Sequence, residues 1–214
     1  MHALSDSLRA ELERGISQKI FPGAVALVGT QEGEILAQVC AGTFLPEGQG
    51  APMTPETIFD LASVTKVACT TTLLMIAAAR GWLSPQDLVS QHRPEFVETT
   101  PPDDPKRSVQ LQHLLTHTSG CHWWLPFYQR FREEAGAPAL GSLAAKHDVY
   151  QRAAKNPLDA PPGTQAVYSD LNFILLGSIV EDLFRAPLEE AFAREVAAPT
   201  GSQCHYRPAA KAPY

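Results

Sequence analysis

At 214 residues, with 44% hydrophobic and 19% charged side chains, the sequence has the make-up of a water-soluble chain long enough to bury a substantial core. A formal net charge of −6 provides no basic face for nucleic acid and no polybasic anchor for a membrane, so neither is expected as a partner. The four cysteines are scattered without a C-x-x-C, as in a reduced chain that uses them as small hydrophobes, and the N-terminus lacks the basic and apolar regions of a signal peptide. The expectation is one domain over 1–214, located in the cytoplasm.

In chain order, Leu8, Leu12, Ile16 and Ile20 recur at helical spacing among charges and predict an amphipathic helix over Ser5 to Lys19, ended by Phe21-Pro22-Gly23. Ala24 to Gly29 and Glu34 to Cys40 are short β-type runs joined by Thr30-Gln31-Glu32-Gly33, a hairpin with glycine in the turn. Gly42 to Pro55 reads as loop. A continuous Ala/Leu/Met-rich run predicts a buried helix from Ser63 to Arg80, with Gly81 as its stop. Ser84 and Pro85 look like the cap and first position of a short helix. Arg93 to Arg107, rich in proline and acids, reads as an extended surface loop. Val109 to Thr116 is apolar at helical spacing and is stopped by His117-Thr118-Ser119-Gly120. Phe127 to Glu134 and Ser142 to Ala154 read as helices with a break at Gly136-Ala137-Pro138, and Pro157 to Thr164 as loop. Leu171 to Phe184 and Pro187 to Ala198 read as further helices.

The central helix carries the chemistry. Lys66 follows Ser63 by three residues, close to one helical turn, so hydroxyl and ammonium project from one face. A serine hydroxyl needs a neighbouring base to become a nucleophile. Burial and the positive helix end both disfavour a charged lysine, which makes Lys66 a candidate base. The same helix end aims backbone N–H groups at an oxygen developing negative charge beside Ser63. Against this, a chance S-x-x-K is common in chains of this size.

Other clusters compete. His113, His117 and Cys121 are spaced four and four, and on an unbroken helix the two histidines would share a zinc ion. The Thr118-Ser119-Gly120 cluster breaks that register and no H-E-x-x-H is present, so no metal is expected and the turn is read as a hydrogen-bonded brace. Trp123, Trp124, Phe127, Tyr128 and Phe131 either pack one helix face into the core or line an apolar acyl pocket near Ser63. The acidic pairs Asp103-Asp104, Glu133-Glu134 and Glu189-Glu190 read as solvated faces.

Four local signals occur in one order: Ser63-Val64-Thr65-Lys66, Leu114-Leu115-Thr116-His117-Thr118-Ser119-Gly120, Pro161-Pro162-Gly163-Thr164, and Tyr168-Ser169-Asp170-Leu171-Asn172-Phe173. This set resembles the serine β-lactamase and penicillin-binding-protein-like superfamily, nearest the branch of class C β-lactamases, D-alanyl-D-alanine carboxypeptidases and related serine esterases. The resemblance runs from about Phe21 to Gly201. It implies an α+β, β-lactamase/transpeptidase-like fold, a helical region packed on an antiparallel sheet of which the N-terminal hairpin is evident. It implies Ser63 as the acylated nucleophile, Lys66 as the residue that accepts or relays its proton, and Tyr168 as the tyrosine of the family's Tyr-x-Asn motif. Asp170 stands where that motif most often has Asn, as a substrate-binding position. An ionised Asp accepts hydrogen bonds only, and it is able to pair with Lys66 and raise its pKa.

The function expected is a metal-independent, cofactor-free serine hydrolase that cleaves a small-molecule ester or amide through an acyl-enzyme on Ser63. The expected location favours an esterase or amidase over a cell-wall enzyme. The alternative is a non-catalytic or fragmentary member that binds without efficient turnover. The family also carries a third motif, Lys-Thr-Gly or a His-containing equivalent, on a strand C-terminal to the tyrosine motif. Neither Pro199-Thr200-Gly201 nor the Lys211-Ala212-Pro213 ending supplies that strand. The expectation is therefore a chain lacking the C-terminal strands, with unpaired hairpin edges, an exposed apolar face, and self-association or a separate C-terminal segment as partner.

Overall fold

The computed structural model describes residues 2–136 and 141–206. Ala137 and Pro138 of the expected break and the Lys211-Ala212-Pro213 ending lie outside the described residues. The chain divides into two compact units, one ending at Leu61 and one starting at Ala62.

In the first unit, helix α1 (His2–Ser17) precedes strands β1 (Gly23–Gly29) and β2 (Ile35–Gly42). The strands pair antiparallel from Gly23 opposite Gly42 to Ala26 opposite Val39, with an irregularity between Val28 and Gly29. Alternation places Ala37 and Val39 inward, toward α1, and Leu27, paired with Gln38, outward, while Ile35 is exposed at the start of its strand. Among the described residues the sheet has these two strands. Helix and hairpin therefore form where the periodicity places them.

The second unit is helical. A π-helical stretch Lys66–Thr71 runs into helix α2 (Thr72–Ala79). Its widened turns are matched by two threonines whose hydroxyls donate to carbonyls five residues back, Thr71 to Lys66 at 2.9 Å and Thr72 to Val67 at 3.0 Å. Short helices α3 (Val89–His92) and α4 (Leu111–Leu115) follow, then α5 (Phe127–Ala135), α6 (Leu143–Lys155) and α7 (Asp170–Phe184). Helix α8 (Leu188–Phe192) continues through a π-helical stretch Ala193–Ala197 into α9 (Ala198–Thr200).

Helix α7 is the centre of this unit. Leu171, Leu175, Leu176, Ile179 and Val180 are fully buried against Leu73 and Ala77 of α2, Leu111 and Leu114 of α4, and Phe192 of α8. Each buried aliphatic of this size stabilises the fold by about 2 kcal/mol. Ser169 caps α7, its side chain accepting from the Asn172 N–H, and Asp170 places a negative charge in the first turn, at the positive end of the helix.

Three expectations need correction. The Ser63–Arg80 helix is not buried all round: Cys69, Thr70, Leu73, Leu74 and Ala77 face inward, whereas Val64, Val67 and Met75 are exposed. A run that is apolar on every side holds no periodic signal to choose a face, and packing against α7 chooses it. Ser84 and Pro85 form a turn in place of a helix start, with Asp87 accepting from the Ser84 N–H at 2.8 Å, and α3 begins at Val89. The proline-rich 93–107 segment is not an extended surface loop: it contains short 3-10 turns at Pro94–Phe96 and Pro105–Ser108 and buries Phe96 and Lys106.

Of the aromatic run, Phe127 and Phe131 are buried on α5, while Trp123, Trp124 and Tyr128 are exposed. Among the described residues, no helix is long and apolar enough to cross a membrane.

Candidate active site

Ser63 lies at the entry of the Lys66–Ala79 helical run. The residue before it, Ala62, is held in the left-handed region at φ 43°, a conformation that costs a side-chain-bearing residue roughly 1–2 kcal/mol. The chain then tightens, with Thr65 N–H donating to Ala62 and Lys66 N–H to Ser63. Lys66 Nζ donates to Ser63 Oγ at 3.2 Å, so the two sequence-predicted residues meet as the spacing requires. Ser63 itself is exposed to solvent.

Tyr168 and Asp170 come from the opposite side, where the chain enters α7. Lys66 Nζ donates to Asp170 Oδ1 at 2.8 Å and stands 5.0 Å above the Tyr168 ring and 5.8 Å above the Phe173 ring. The Tyr168 phenol borders the same group, and Ser63 and Lys66 are the neighbours that act on its ionisation. All four residues named from the sequence are thus gathered in one cluster.

Of the two alternatives for Lys66, a neutral base or a partner of Asp170 with a raised pKa, the electrostatics favour the second. Burial pulls the Lys66 pKa down, but the hydrogen bonds to Asp170 and Tyr168 and the Asp170 charge outweigh it, and the net shift is upward from 10.5. The carboxylate in direct contact thus favours the ammonium form of Lys66 over the neutral amine. The consequence falls on Tyr168, whose phenol is lowered from 10.0 by the hydrogen bond with Ser63, then by Lys66. The cluster offers a hydroxyl, a cation that stays charged, and a phenol that ionises more readily than usual.

The tyrosine is held by the turn after α4. Helix α4 stops at Leu115, and His117 adopts φ 58°. Its carbonyl accepts the Val167 N–H at 2.9 Å and its Nδ1 accepts the Ser169 N–H at 3.1 Å, so the proton of the ring sits on Nε2. Ser119 is buried; its hydroxyl donates to Asn172 Oδ1 at 2.6 Å and accepts from Cys121 N–H. Ser169 Oγ donates to the His122 carbonyl at 2.7 Å, and Asp170 N–H to that of Trp123 at 2.8 Å. The reading of the His117–Gly120 turn as a brace accords with these bonds.

The zinc alternative does not assemble. His117 is turned out of the helical register, and His113 Nδ1 is taken by the Gln110 N–H. Among the described residues no group of three or more His, Cys, Asp or Glu side chains is placed to hold a metal.

Sequence reasoning missed the side-chain roles of His117 and Asn172. The local signal for Asn172 was an amide inside the otherwise apolar Leu171–Leu176 run, and buried amides in such a run need partners. For His117 there was none, since its contacts lie about fifty residues away in the chain.

The comparisons with known proteins agree with this architecture. Residues 8–214 match the family model described as Beta-lactamase. The chain is 34% identical over 204 residues to Esterase EstB of Burkholderia gladioli, covering 93% of this chain and 50% of that protein. It is 34% identical over 201 residues to the N-acetylmuramyl-L-alanine amidase of Bacillus subtilis (strain 168), covering 88% and 43%. The fold is shared with the octameric penicillin-binding protein homologue from Pyrococcus abyssi, at a TM-score of 0.69 and 22% identity over 91% of this chain and 42% of that one. The chain spans about half the length of the curated relatives it matches. With the family model spanning residues 8–214 and relatives of that family aligning along most of the sequence, this chain belongs to the beta-lactamase family.

Proposed function

We propose that this chain carries the acylating group of a serine hydrolase that cleaves an ester or amide through an acyl-enzyme on Ser63. The observation that supports it is the contact of Lys66 Nζ with Ser63 Oγ, at 3.2 Å, with the Tyr168 ring 5.0 Å from the same ammonium. The relatives named as an esterase and an amidase act, by those names, on the same class of bond.

In this reading Lys66, kept charged by Asp170, favours the phenolate of Tyr168. The phenolate oxygen takes the Ser63 proton as Oγ bonds to the carbonyl carbon and the carbonyl oxygen gains negative charge. When the tetrahedral species collapses, the bond to the leaving alkoxide or amine breaks and Tyr168 returns the proton to it. Water then attacks the acyl-serine, giving one proton to Tyr168; as the bond to Ser63 Oγ breaks, Tyr168 passes that proton to Oγ, and the acid is released. The proton carrier is thus Tyr168, with Lys66 acting through its charge. No metal ion or cofactor takes part.

Intact mass after incubation with a fluorophosphonate tests this. Wild type should gain one adduct and Ser63→Ala none. An adduct that persists in Ser63→Ala would overturn the assignment, and absence of any adduct on wild type would favour a chain that binds without acylation.

A further inference from the structure

His117 is tied to both sides of Tyr168. The N–H of Val167 donates to its carbonyl at 2.9 Å and the N–H of Ser169 to its Nδ1 at 3.1 Å. Between these two bonds the imidazole lies against the phenol, with ring centroids 4.5 Å apart. Its other side faces Phe173 at 5.3 Å, and Asn172 Nδ2 lies 3.4 Å from Nδ1. Tyr168 itself is 54% exposed, so packing from the core does little to fix its ring.

We propose that His117 is the positioning residue of Tyr168: it clamps the backbone on either side of the tyrosine and sets its ring, so that the phenol oxygen is held on Ser63 and Lys66. This rests on the reading of Tyr168 as the proton carrier. Exposed tyrosines sample several rotamers, and a proton acceptor contributes only when it sits within hydrogen-bond reach of the nucleophile. Misplacement by about 1 Å costs on the order of a hundredfold in rate. The left-handed backbone at His117 is what turns carbonyl and ring toward the same strand of chain. The charged groups that face the pair are Lys66 and Asp170.

Three variants separate the parts of the clamp. His117→Asn keeps an acceptor near the Nδ1 position and tolerates the left-handed backbone, but loses the ring. His117→Phe keeps a ring and loses the acceptor, leaving the Ser169 N–H unpaired. His117→Ala loses both. The first readout needs no catalysis: phenol ionisation followed by ultraviolet difference absorbance, with Tyr168→Phe assigning the Tyr168 component. The second is the rate of Ser63 labelling by a fluorophosphonate, with melting temperature as the control for folding.

The expected result is that Tyr168 ionisation moves back toward the ordinary phenol value in His117→Phe and His117→Ala, and that labelling falls about 10- to 100-fold in both. His117→Asn should retain more of each than His117→Ala. Unchanged Tyr168 ionisation in folded His117→Phe and His117→Ala would overturn the proposal, as would labelling losses that follow melting temperature with Asn no better than Ala. If wild type is not labelled at all, the hydrolase reading fails, and the Tyr168 titration still decides the role of His117.

Discussion

Lys66 Nζ donates to Asp170 Oδ1 at 2.8 Å across 104 positions of sequence, and this contact favours the charged form of the lysine beside Ser63. Burial alone would favour a neutral amine. The carboxylate and the phenol together outweigh it, and in the proposed reading Tyr168 is the proton acceptor.

Asp170→Asn removes the charge and keeps an oxygen that accepts from Lys66. The Lys66 pKa should fall, so the alkaline loss of activity should begin at lower pH. The pair is partly open to solvent, with side-chain exposures of 17% and 39%, so stability should change by no more than about 1 kcal/mol. The pH dependence of kcat/KM and urea denaturation measure both effects. An unmoved alkaline limb would show that Asp170 does not hold Lys66 protonated.

The wild-type pH profile follows from the two directions. Tyr168 is lowered from 10.0 and Lys66 raised from 10.5, so activity should rise with an apparent pKa below the ordinary phenol value and decline above the ordinary lysine value. For stability the sign differs between the two. The Lys66 contribution is complete below pH 10.5 and is lost as pH rises through its raised folded value. The Tyr168 contribution exists above pH 10.0 and is lost as pH falls through its lowered folded value. A profile whose rising limb is unchanged in Tyr168→Phe would exclude the phenol as proton carrier.

Lys106 is 3% exposed, and its ammonium donates to the carbonyls of Ala154 and Asn156 at 2.6 and 2.7 Å, at the C-terminal end of α6, 4.4 Å above the Phe96 ring. Lys106→Met keeps much of the buried stem and removes both bonds. Two carbonyls left without this donor should cost about 2–4 kcal/mol, read as a lower urea midpoint. Unchanged stability would mean that water replaces the ammonium there.

Gly120 has φ 79°, and a Cβ at this position would lie 1.9 Å from the Ala160 carbonyl oxygen. Gly120→Ala combines a left-handed penalty with a clash against backbone, and should lower stability by more than about 3 kcal/mol. It should also loosen the 158–172 segment that carries Tyr168, because Asp159 N–H donates to the Gly120 carbonyl. Thermal melting and limited proteolysis check the two consequences. A variant as stable as wild type would show that the turn shifts freely.

Local pattern determined much of this protein. Helical spacing marked α1, a long apolar run marked α7, two β-type runs around a glycine turn marked the β1–β2 hairpin, and the short interval from Ser63 to Lys66 placed hydroxyl and amine together, because each depends on near neighbours in the chain. The ordered motifs also single out Tyr168 and Asp170. Tertiary structure alone decided the rest. It chose which face of the Lys66–Ala79 run is buried, since a run apolar on all sides has no preferred face until α7 packs against it. It buried Lys106 within a segment whose prolines and acids read as surface. It also brought the carboxylate of Asp170 to Lys66 and the imidazole of His117 to the backbone beside Tyr168, from distant points of the chain. Coulomb energy and hydrogen bonding depend on separation in space, which residue spacing does not encode.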